Sequence, residues 1–227
     1  MTEDRRAIVR DSLGVGIATG LYGVSFGAVS VASGLSVAQT CALSLLMFTG
    51  ASQFALVGVL AGGGSAFSAG ATALLLGTRN TLYGLRVAPL LGYRGRQRLG
   101  AAHLLIDEST AMSVTRTTQV GARTGFLVTG GLIFLLWNLF TFLGAIGGTA
   151  IGDPRTYGLD AAVGGAFLAL LWPRLDEPRN RIVALLAVAV ALGVVPVAPA
   201  GVPVLAAGGV ALLVGLLSRS TGPGRTA

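Results

Sequence analysis

Charged side chains inside long apolar runs are the residues of this sequence best placed to do chemistry. Between positions 12 and 91 the formally charged residues are Arg79 and Arg86 alone. Arg79 lies in the middle of the apolar run 65–91, at a depth where a charge costs at least about 2.5 kcal/mol. It therefore requires an acidic partner, water or an anionic substrate group, and its planar guanidinium can hold a carboxylate through two parallel hydrogen bonds. In the alternative interpretation the helix ends near Gly77 and Arg79 extends to the membrane interface.

A histidine and two acids form a second candidate site. His103, Asp107 and Glu108 stand in the stretch 99–118, whose pattern predicts a helix. On such a helix His103 and Asp107 are four residues apart and share a face, and intramembrane carboxylates with a histidine are typical of proton relays. The alternative is a solvated helix whose acids pair with arginines of the same region, namely Arg94, Arg96, Arg98 or Arg116.

Polar residues also interrupt the apolar run 37–61. Thr49, Gly50, Ser52 and Gln53 stand near its centre, where a helix-weakening glycine lies among polar side chains. A transmembrane helix broken there presents unpaired N–H groups at a positive half-helix end, and such ends bind carboxylates in several transporter folds. The alternative is close helix packing, with the hydroxyl groups bonded to their own backbone.

The elements that must hold these residues are transmembrane helices. The chain is 53% hydrophobic and 11% charged, with a mean hydropathy of +0.77, and apolar runs of about 20 residues match the hydrocarbon thickness of a bilayer. The sequence predicts an all-α polytopic transmembrane bundle of about seven to eight spans, with helices broken near Gly50 and Arg79. We interpret 1–227 as a single transmembrane domain, with a cytosolic N-terminus at 1–11 and a mobile tail at 219–227.

The arginines indicate the topology. All 16 basic residues are arginine, and the positive-inside rule places the Arg-bearing N-terminus, the loop 174–181 and the tail in the cytosol. The basic loop 92–98 admits two solutions. It lies outside if 37–61 crosses the membrane, and inside if 37–61 enters and returns as a hairpin. We favour the first solution, with eight spans, because 99–118 is long enough to cross.

The sequence contains no motif that is typical of an enzyme or of a cofactor-binding site. Cys41 is the single cysteine and His103 the single histidine, so neither a disulfide within the chain nor a histidine-based metal cluster is predicted. Gly62-Gly63-Gly64-Ser65 is not followed by the Gly-Lys-Ser/Thr of a P-loop, and no serine stands in a Gly-x-Ser-x-Gly turn. The net charge of +7 follows membrane topology rather than nucleic-acid binding. We therefore expect no enzyme, no metal and no cofactor.

Four motifs occur in one order with short spacers: Tyr22-Gly-Val-Ser-Phe-Gly27, Phe48-Thr-Gly-Ala-Ser-Gln-Phe54, Arg79-Asn-Thr-Leu-Tyr-Gly84 and His103-Leu-Leu-Ile-Asp-Glu108. Together they resemble the AzlC family, the large subunits of bacterial branched-chain amino acid exporters, over about residues 14 to 218. The family pattern around the arginine is Asn-x-Arg-His, whereas this chain has Gly77 and Asn80 at the outer positions. The departure leaves the arginine in place and removes a protonatable side chain.

The resemblance implies export of valine, leucine, isoleucine and methionine across the bacterial inner membrane, driven by the proton-motive force, with both termini in the cytosol. It also implies a small membrane partner of the AzlD type. In this hypothesis the substrate contacts Gly50, Ser52, Gln53, Arg79, Phe26 and Phe54, with Phe48 beside them. The proton-coupling residues are His103, Asp107 and Glu108. The competing hypothesis is a membrane scaffold or sensor that transports nothing and whose polar residues serve packing alone.

Overall fold

The computed structural model describes residues 5–151, 168 and 171–219, and every regular element in these ranges is helical. A short 3₁₀ helix (Trp172–Asp176) precedes the last two α-helices. The α-helices are α1 (Arg5–Leu21), α2 (Gly23–Ala32), α3 (Val37–Leu46), α4 (Gly50–Ala61), α5 (Ala66–Leu91), α6 (Arg96–His103), α7 (Asp107–Val114), α8 (Gln119–Ile151), α9 (Pro178–Val194) and α10 (Val202–Arg219). The predicted span 158–172 and the predicted tail fall largely outside the described residues.

The bundle is built on two long apolar segments that run parallel to each other. The segments Arg5–Ala32, comprising α1 and α2, and Gln119–Ala150 in α8 are each long and apolar enough to cross a membrane. Gly16 of α1 lies against Leu132 of α8, and Gly27 of α2 lies against Thr141. The two segments therefore run in the same direction. We call the two ends of the bundle the Asp11 end and the Ala32 end.

Helices α3 and α4 form a broken hairpin that enters from the Ala32 end. The hydroxyl of Ser44 in α3 lies 3.4 Å from that of Thr141, and the ring of Phe48 lies 5.1 Å from Phe134, so α3 runs towards the middle of α8. The chain turns at residues 47–49, and α4 returns to the Ala32 end, where α5 begins. The predicted break near Gly50 is confirmed.

Helix α5 is continuous, and the predicted break near Arg79 is wrong. Its 26 residues extend about 39 Å, from the Ala32 end to Leu91, whose carbonyl oxygen accepts a 2.7 Å hydrogen bond from Arg123 at the start of α8. Gly77 lies inside the helix, next to the Ser52 hydroxyl. The charge of Arg79 does not require a break in the helix, because another element supplies a partner for it.

Helices α6 and α7 form a second broken hairpin, which enters from the opposite end. His103 at the end of α6 contacts the ring of Phe134 in the middle of α8, and α7 then returns until Arg116 lies 3.8 Å from Asp11. The prediction of one helix over 99–118 is therefore wrong. So is the shared helix face of His103 and Asp107, because the two residues belong to different helices.

The two hairpins enter from opposite ends, and their turns meet in the middle of the bundle. Phe48 in the first turn and His103 beside the second have ring centroids 6.2 Å apart. Each hairpin follows a long helix, which is α1–α2 in the first half and α5 in the second, and the two long helices run in opposite directions. This arrangement has the form of the inverted-topology repeats of transporter folds, although no repeat is recognisable in the sequence.

The arrangement also decides between the two solutions for the loop 92–98. This loop follows the end of α5, next to the start of α8, and so lies at the Asp11 end with the start of α1. The stretch 37–61 therefore enters and returns, and the favoured crossing of 37–61 is wrong for the structure. Helices α9 and α10 pack on each other, and Gly208 of α10 lies against Leu75 of α5.

Candidate functional site

A cavity of about 410 Å³ lies where the two hairpin turns meet. This volume is within the range of sites that hold small molecules. Its walls come from the end of α1, both hairpins, α5 and α8. The lining residues are Ala18, Thr19, Tyr22, Phe48, Thr49, Gly50, Ala51, Phe54, Arg79, Ile106, Asp107, Glu108, Ile133 and Trp137.

The start of α4 forms one polar wall of this cavity. Thr49 is the N-cap residue, in an extended conformation, and its side chain makes no capping hydrogen bond to the helix. Its hydroxyl pairs instead with that of Ser52, at 3.4 Å. The first N–H groups of an α-helix have no partner within the helix, and they carry the positive end of the helix dipole. Gly50 and Ala51 place this end at the cavity wall, where it favours an anionic group.

The start of α7 forms the opposite polar wall. Ser109 stabilises the turn before it, because its hydroxyl donates to the carbonyl oxygen of Leu104 at 2.7 Å and accepts from the N–H of Ile106 at 3.0 Å. This cap fixes Asp107 and Glu108 in the first turn of α7, where the helix dipole stabilises carboxylates. Two half-helix N-termini therefore face one cavity, but the second already carries its own acids.

Arg79 is paired with Asp107. Its Nη2 lies 2.8 Å from Oδ2 of Asp107, and the hydroxyl of Tyr83, one turn further along α5, donates to Oδ1 at 2.5 Å. Asn80 strengthens the same junction by donating to the carbonyl oxygen of Leu105 at 3.3 Å. The Nε of Arg79 is buried and has no hydrogen-bond partner. Arg79 thus lines the cavity as one half of an ion pair, with its Nε enclosed by protein.

Glu108 lies on the side of α7 that faces α1. Its carboxylate accepts hydrogen bonds from Thr19 and from its own backbone N–H, and it belongs to none of the ion pairs within the described part of the chain. The arginines proposed as its solvated partners are elsewhere. Arg116 pairs with Asp11, and Nε of Arg98 donates to the carbonyl oxygen of Tyr93. The solvated-helix alternative is therefore wrong for this pair of acids.

Aromatic and aliphatic side chains line the rest of the cavity. Tyr22 lies 5.4 Å from Phe54, and Phe54 meets Trp137 edge-on at 6.2 Å, both measured between ring centroids. Ile106 and Ile133 close the wall between the hairpin turns. This surface suits an apolar group of a bound molecule, while the charged groups lie at the two half-helix ends.

The predicted site residues divide into two groups. Those that line the cavity are Gly50, Phe48, Phe54, Arg79, Asp107 and Glu108. The others support it. Phe26 is fully buried and stacks on Trp137 at 6.0 Å, Ser52 is buried beside Thr49, and His103 contacts the rings of Phe48 and Phe134. The expectation that His103 acts together with Asp107 therefore has no support in the geometry.

Gln53 joins the break in the first hairpin to α8. Its Nε2 donates to the carbonyl oxygen of Leu43 at 3.2 Å, and its Oε1 accepts from Nε1 of Trp137 at 3.1 Å. The side chain is completely buried. Gln53 therefore gives the Leu43 carbonyl a second hydrogen bond beside that from the N–H of Met47, and it is a positioning residue rather than a contact of the cavity.

Sequence reasoning missed Thr19, Tyr22, Tyr83 and Trp137. Tyr22 and Tyr83 stand inside two of the four motifs described above, and this position in the motifs could have identified them as site residues. Thr19 and Trp137 lie in ordinary apolar helices. Only their position against the hairpin turns marks them as part of the site.

Comparisons with known proteins agree with the membrane architecture. The model of the AzlC protein family matches residues 14–151. The Inner membrane protein YgaZ of Escherichia coli (strain K12) is 28% identical over 195 residues, covering 81% of this chain and 77% of the relative. An uncharacterized membrane protein of Helicobacter pylori (strain J99 / ATCC 700824) is 24% identical over 176 residues, covering 76% of each chain. No solved structure matches the chain at a significant level.

Proposed function

This chain belongs to the AzlC family of membrane proteins, and we propose that it is the large permease subunit of a secondary exporter of branched-chain amino acids. The substrates are valine, leucine and isoleucine, with methionine as a further candidate. The protein acts in the bacterial inner membrane with its N- and C-termini in the cytosol. The proton-motive force supplies the energy, and a small membrane subunit of the AzlD type completes the transporter.

The observation that carries this proposal is the distribution of groups around the cavity. The positive end of α4 suits a carboxylate, and the guanidinium of Arg79 lines the same cavity. Asp107 and Glu108 suit an ammonium group, and the aromatic wall with Ile106 and Ile133 suits an aliphatic side chain. A zwitterionic amino acid with an apolar side chain presents these three groups together, whereas a sugar or an inorganic ion does not.

The hairpins support a transport cycle. Each hairpin separates the cavity from one end of the bundle, and a break in each one leaves its half-helix free to change direction. Transporters built from inverted repeats bind substrate where discontinuous helices meet and expose the site to each side in turn. A scaffold has no use for two half-helix ends and three charged side chains around a cavity in the membrane.

Efflux of labelled leucine tests the proposal. Cells or proteoliposomes that contain this chain are loaded with radioactive leucine, with and without the small partner, and the release of label is followed after an inward proton gradient is imposed. We expect release well above empty vesicles, competition by valine and isoleucine, and no competition by lysine or glutamate. Equal release from protein-free vesicles would favour the scaffold or sensor alternative.

A further inference from the structure

The charges at the cavity do not balance. Within the described residues that line it, Arg79 contributes +1 and Asp107 and Glu108 contribute −1 each, so the sum is −1. Asp107 is held by Arg79 at 2.8 Å and by Tyr83 at 2.5 Å, which neutralises it. The remaining negative charge belongs to Glu108, which has no ion-pair partner within the described residues and lies within reach of the charges of both Asp107 and Arg79.

An uncompensated carboxylate in a membrane cavity has two ways to reduce its cost. It can take up a proton and become neutral, or it can pair with a cation. Thr19 suits both forms, because a hydroxyl group donates to a carboxylate and accepts from a carboxylic acid. Glu108 also stands opposite the start of α4, so an amino acid whose carboxylate lies at Gly50 can direct its ammonium group towards Glu108.

Resting on the export function proposed above, we propose that Glu108 binds the substrate ammonium group and the coupling proton in turn, and so makes the transporter a proton–amino acid exchanger. When the substrate enters from the cytosol, its ammonium group pairs with the Glu108 carboxylate and the carboxyl proton leaves to water. On the other side a proton returns to the carboxylate and the ammonium group is released. Each cycle moves one proton inwards and one zwitterion outwards, so one positive charge enters the cell.

The other titratable and charged groups around Glu108 are accounted for. Asp107 and Arg79 form the ion pair, Tyr83 donates to that pair, and Tyr22 stands on the α1 side of the cavity. His103 contacts phenylalanine rings. Helices α4 and α8 place no titratable side chain on the described cavity wall. Asp107 therefore holds the hairpin to α5, and Glu108 exchanges the proton.

Proton release on substrate binding tests this assignment without requiring transport. The purified full chain, alone and together with the small membrane subunit, is mixed with leucine in weakly buffered detergent that contains a pH-sensitive dye, and binding is measured in parallel by calorimetry. We expect up to one proton released for each leucine bound. Because the proton competes with the ammonium group, the Kd for leucine should rise as pH falls, by up to roughly tenfold per pH unit. As a control, 4-methylpentanoate, which is leucine without its ammonium group, should release none.

Variants separate the two carboxylates. Glu108→Gln should abolish proton release and flatten the pH dependence of the leucine Kd, while Glu108→Asp should keep the release with weaker binding. The paired neutralisation Arg79→Gln with Asp107→Asn removes both members of the ion pair and should weaken leucine binding, because both residues line the cavity, while the number of protons released per leucine bound stays at the wild-type value. Proton release by Glu108→Gln at the wild-type level, or its loss in the paired variant when leucine still binds, overturns the assignment. Leucine binding by the wild type without any release overturns this inference alone, whereas failure of leucine to bind overturns the export function as well.

Discussion

At the residue scale, the site depends on polar side chains that satisfy one another across breaks in the helices. Arg79 and Asp107 are 28 positions apart, yet they form an ion pair because the second hairpin brings Asp107 to the middle of α5. Gln53 and Trp137 make a similar connection between the first hairpin and α8. In a low-dielectric interior, losing one partner of such a pair leaves the other unsatisfied, and that costs more than the bond itself contributes.

The Gln53 connection gives a prediction. Gln53→Leu should destabilise the protein by about 1–3 kcal/mol, because Nε1 of Trp137 loses its buried acceptor and the carbonyl oxygen of Leu43 keeps only the N–H of Met47. Leucine efflux should fall with it, because the start of α4 is no longer fixed at the cavity. The measurement is the apparent Tm in detergent together with efflux at equal protein amount.

Two further variants test whether the effect is specific to the connection between Gln53 and Trp137. Gln97→Leu is the matched control, since Gln97 is exposed at the start of α6, and both readouts should stay at wild-type level. Trp137→Phe leaves Oε1 of Gln53 without its donor and opens space in the aromatic cluster, so its loss of stability should be at least as large as that of Gln53→Leu. Wild-type stability of Gln53→Leu would show that this glutamine does not join the hairpin to α8.

At the scale of elements, glycine sets the distance between α2 and α8. A side chain at Gly144 would collide with the carbonyl oxygen of Val24, and one at Gly27 with that of Thr141. The spacings Gly23-x-x-x-Gly27 and Gly144-x-x-x-Gly148 thus serve close helix packing, as small residues do in membranes. Gly58-x-x-x-Gly62 has the same spacing, but Gly58 has nothing within 4 Å of the position of a side chain. The spacing alone does not identify an interface.

This contrast allows a matched pair of variants on one helix. Gly144→Ala should lower the apparent Tm markedly, because backbone atoms must move to admit one methyl group, and such overpacking costs about 1–3 kcal/mol or more. Gly147→Ala, three residues further along α8, meets open space. It should leave the Tm unchanged or raise it slightly, since alanine favours a helix over glycine. Similar Tm values for the two variants would contradict the close contact of α2 with α8.

At the scale of the whole molecule, two hairpins that enter from opposite ends place the charged groups in the centre of the bundle. Each hairpin returns to the end from which it came, so the Asp11 end carries the start of α1, the loop 92–98 and the start of α8. The positive-inside rule predicts that this arginine-bearing end faces the cytosol.

Cysteine labelling tests this topology. After Cys41 is replaced by serine, single cysteines are introduced as Arg10→Cys, Gln97→Cys and Ala66→Cys, all at exposed positions. An impermeant maleimide added to intact cells should label the cysteine at position 66 alone, and the other two should react only after permeabilisation. Labelling at position 97 from outside would restore the crossing of 37–61 and the eight-span solution.

The sequence by itself determined the class of the protein and the residues that carry charge in the membrane. Hydropathy and scarce charges predicted membrane helices, and the family resemblance is confirmed. The break near Gly50 was predictable because glycine and polar residues weaken a helix locally. The two long apolar segments were also predictable, because they depend only on the hydropathy of the residues within them. Arg79, Asp107 and Glu108 were identified because each is too costly to bury in lipid without a function.

Tertiary structure alone decided where the other helices break and which residues meet. Leu104, Leu105 and Ile106 contain no local helix breaker, yet the chain turns there because Ser109 and Asn80 satisfy the backbone groups that the turn exposes. Gly77 is a local breaker, yet α5 continues through it, and Arg79, Asn80 and Tyr83 just beyond it bond to the second hairpin. Both outcomes depend on partners distant in sequence. The composition of a segment predicts whether it can form or break a helix, and its neighbours in the fold determine which of the two occurs.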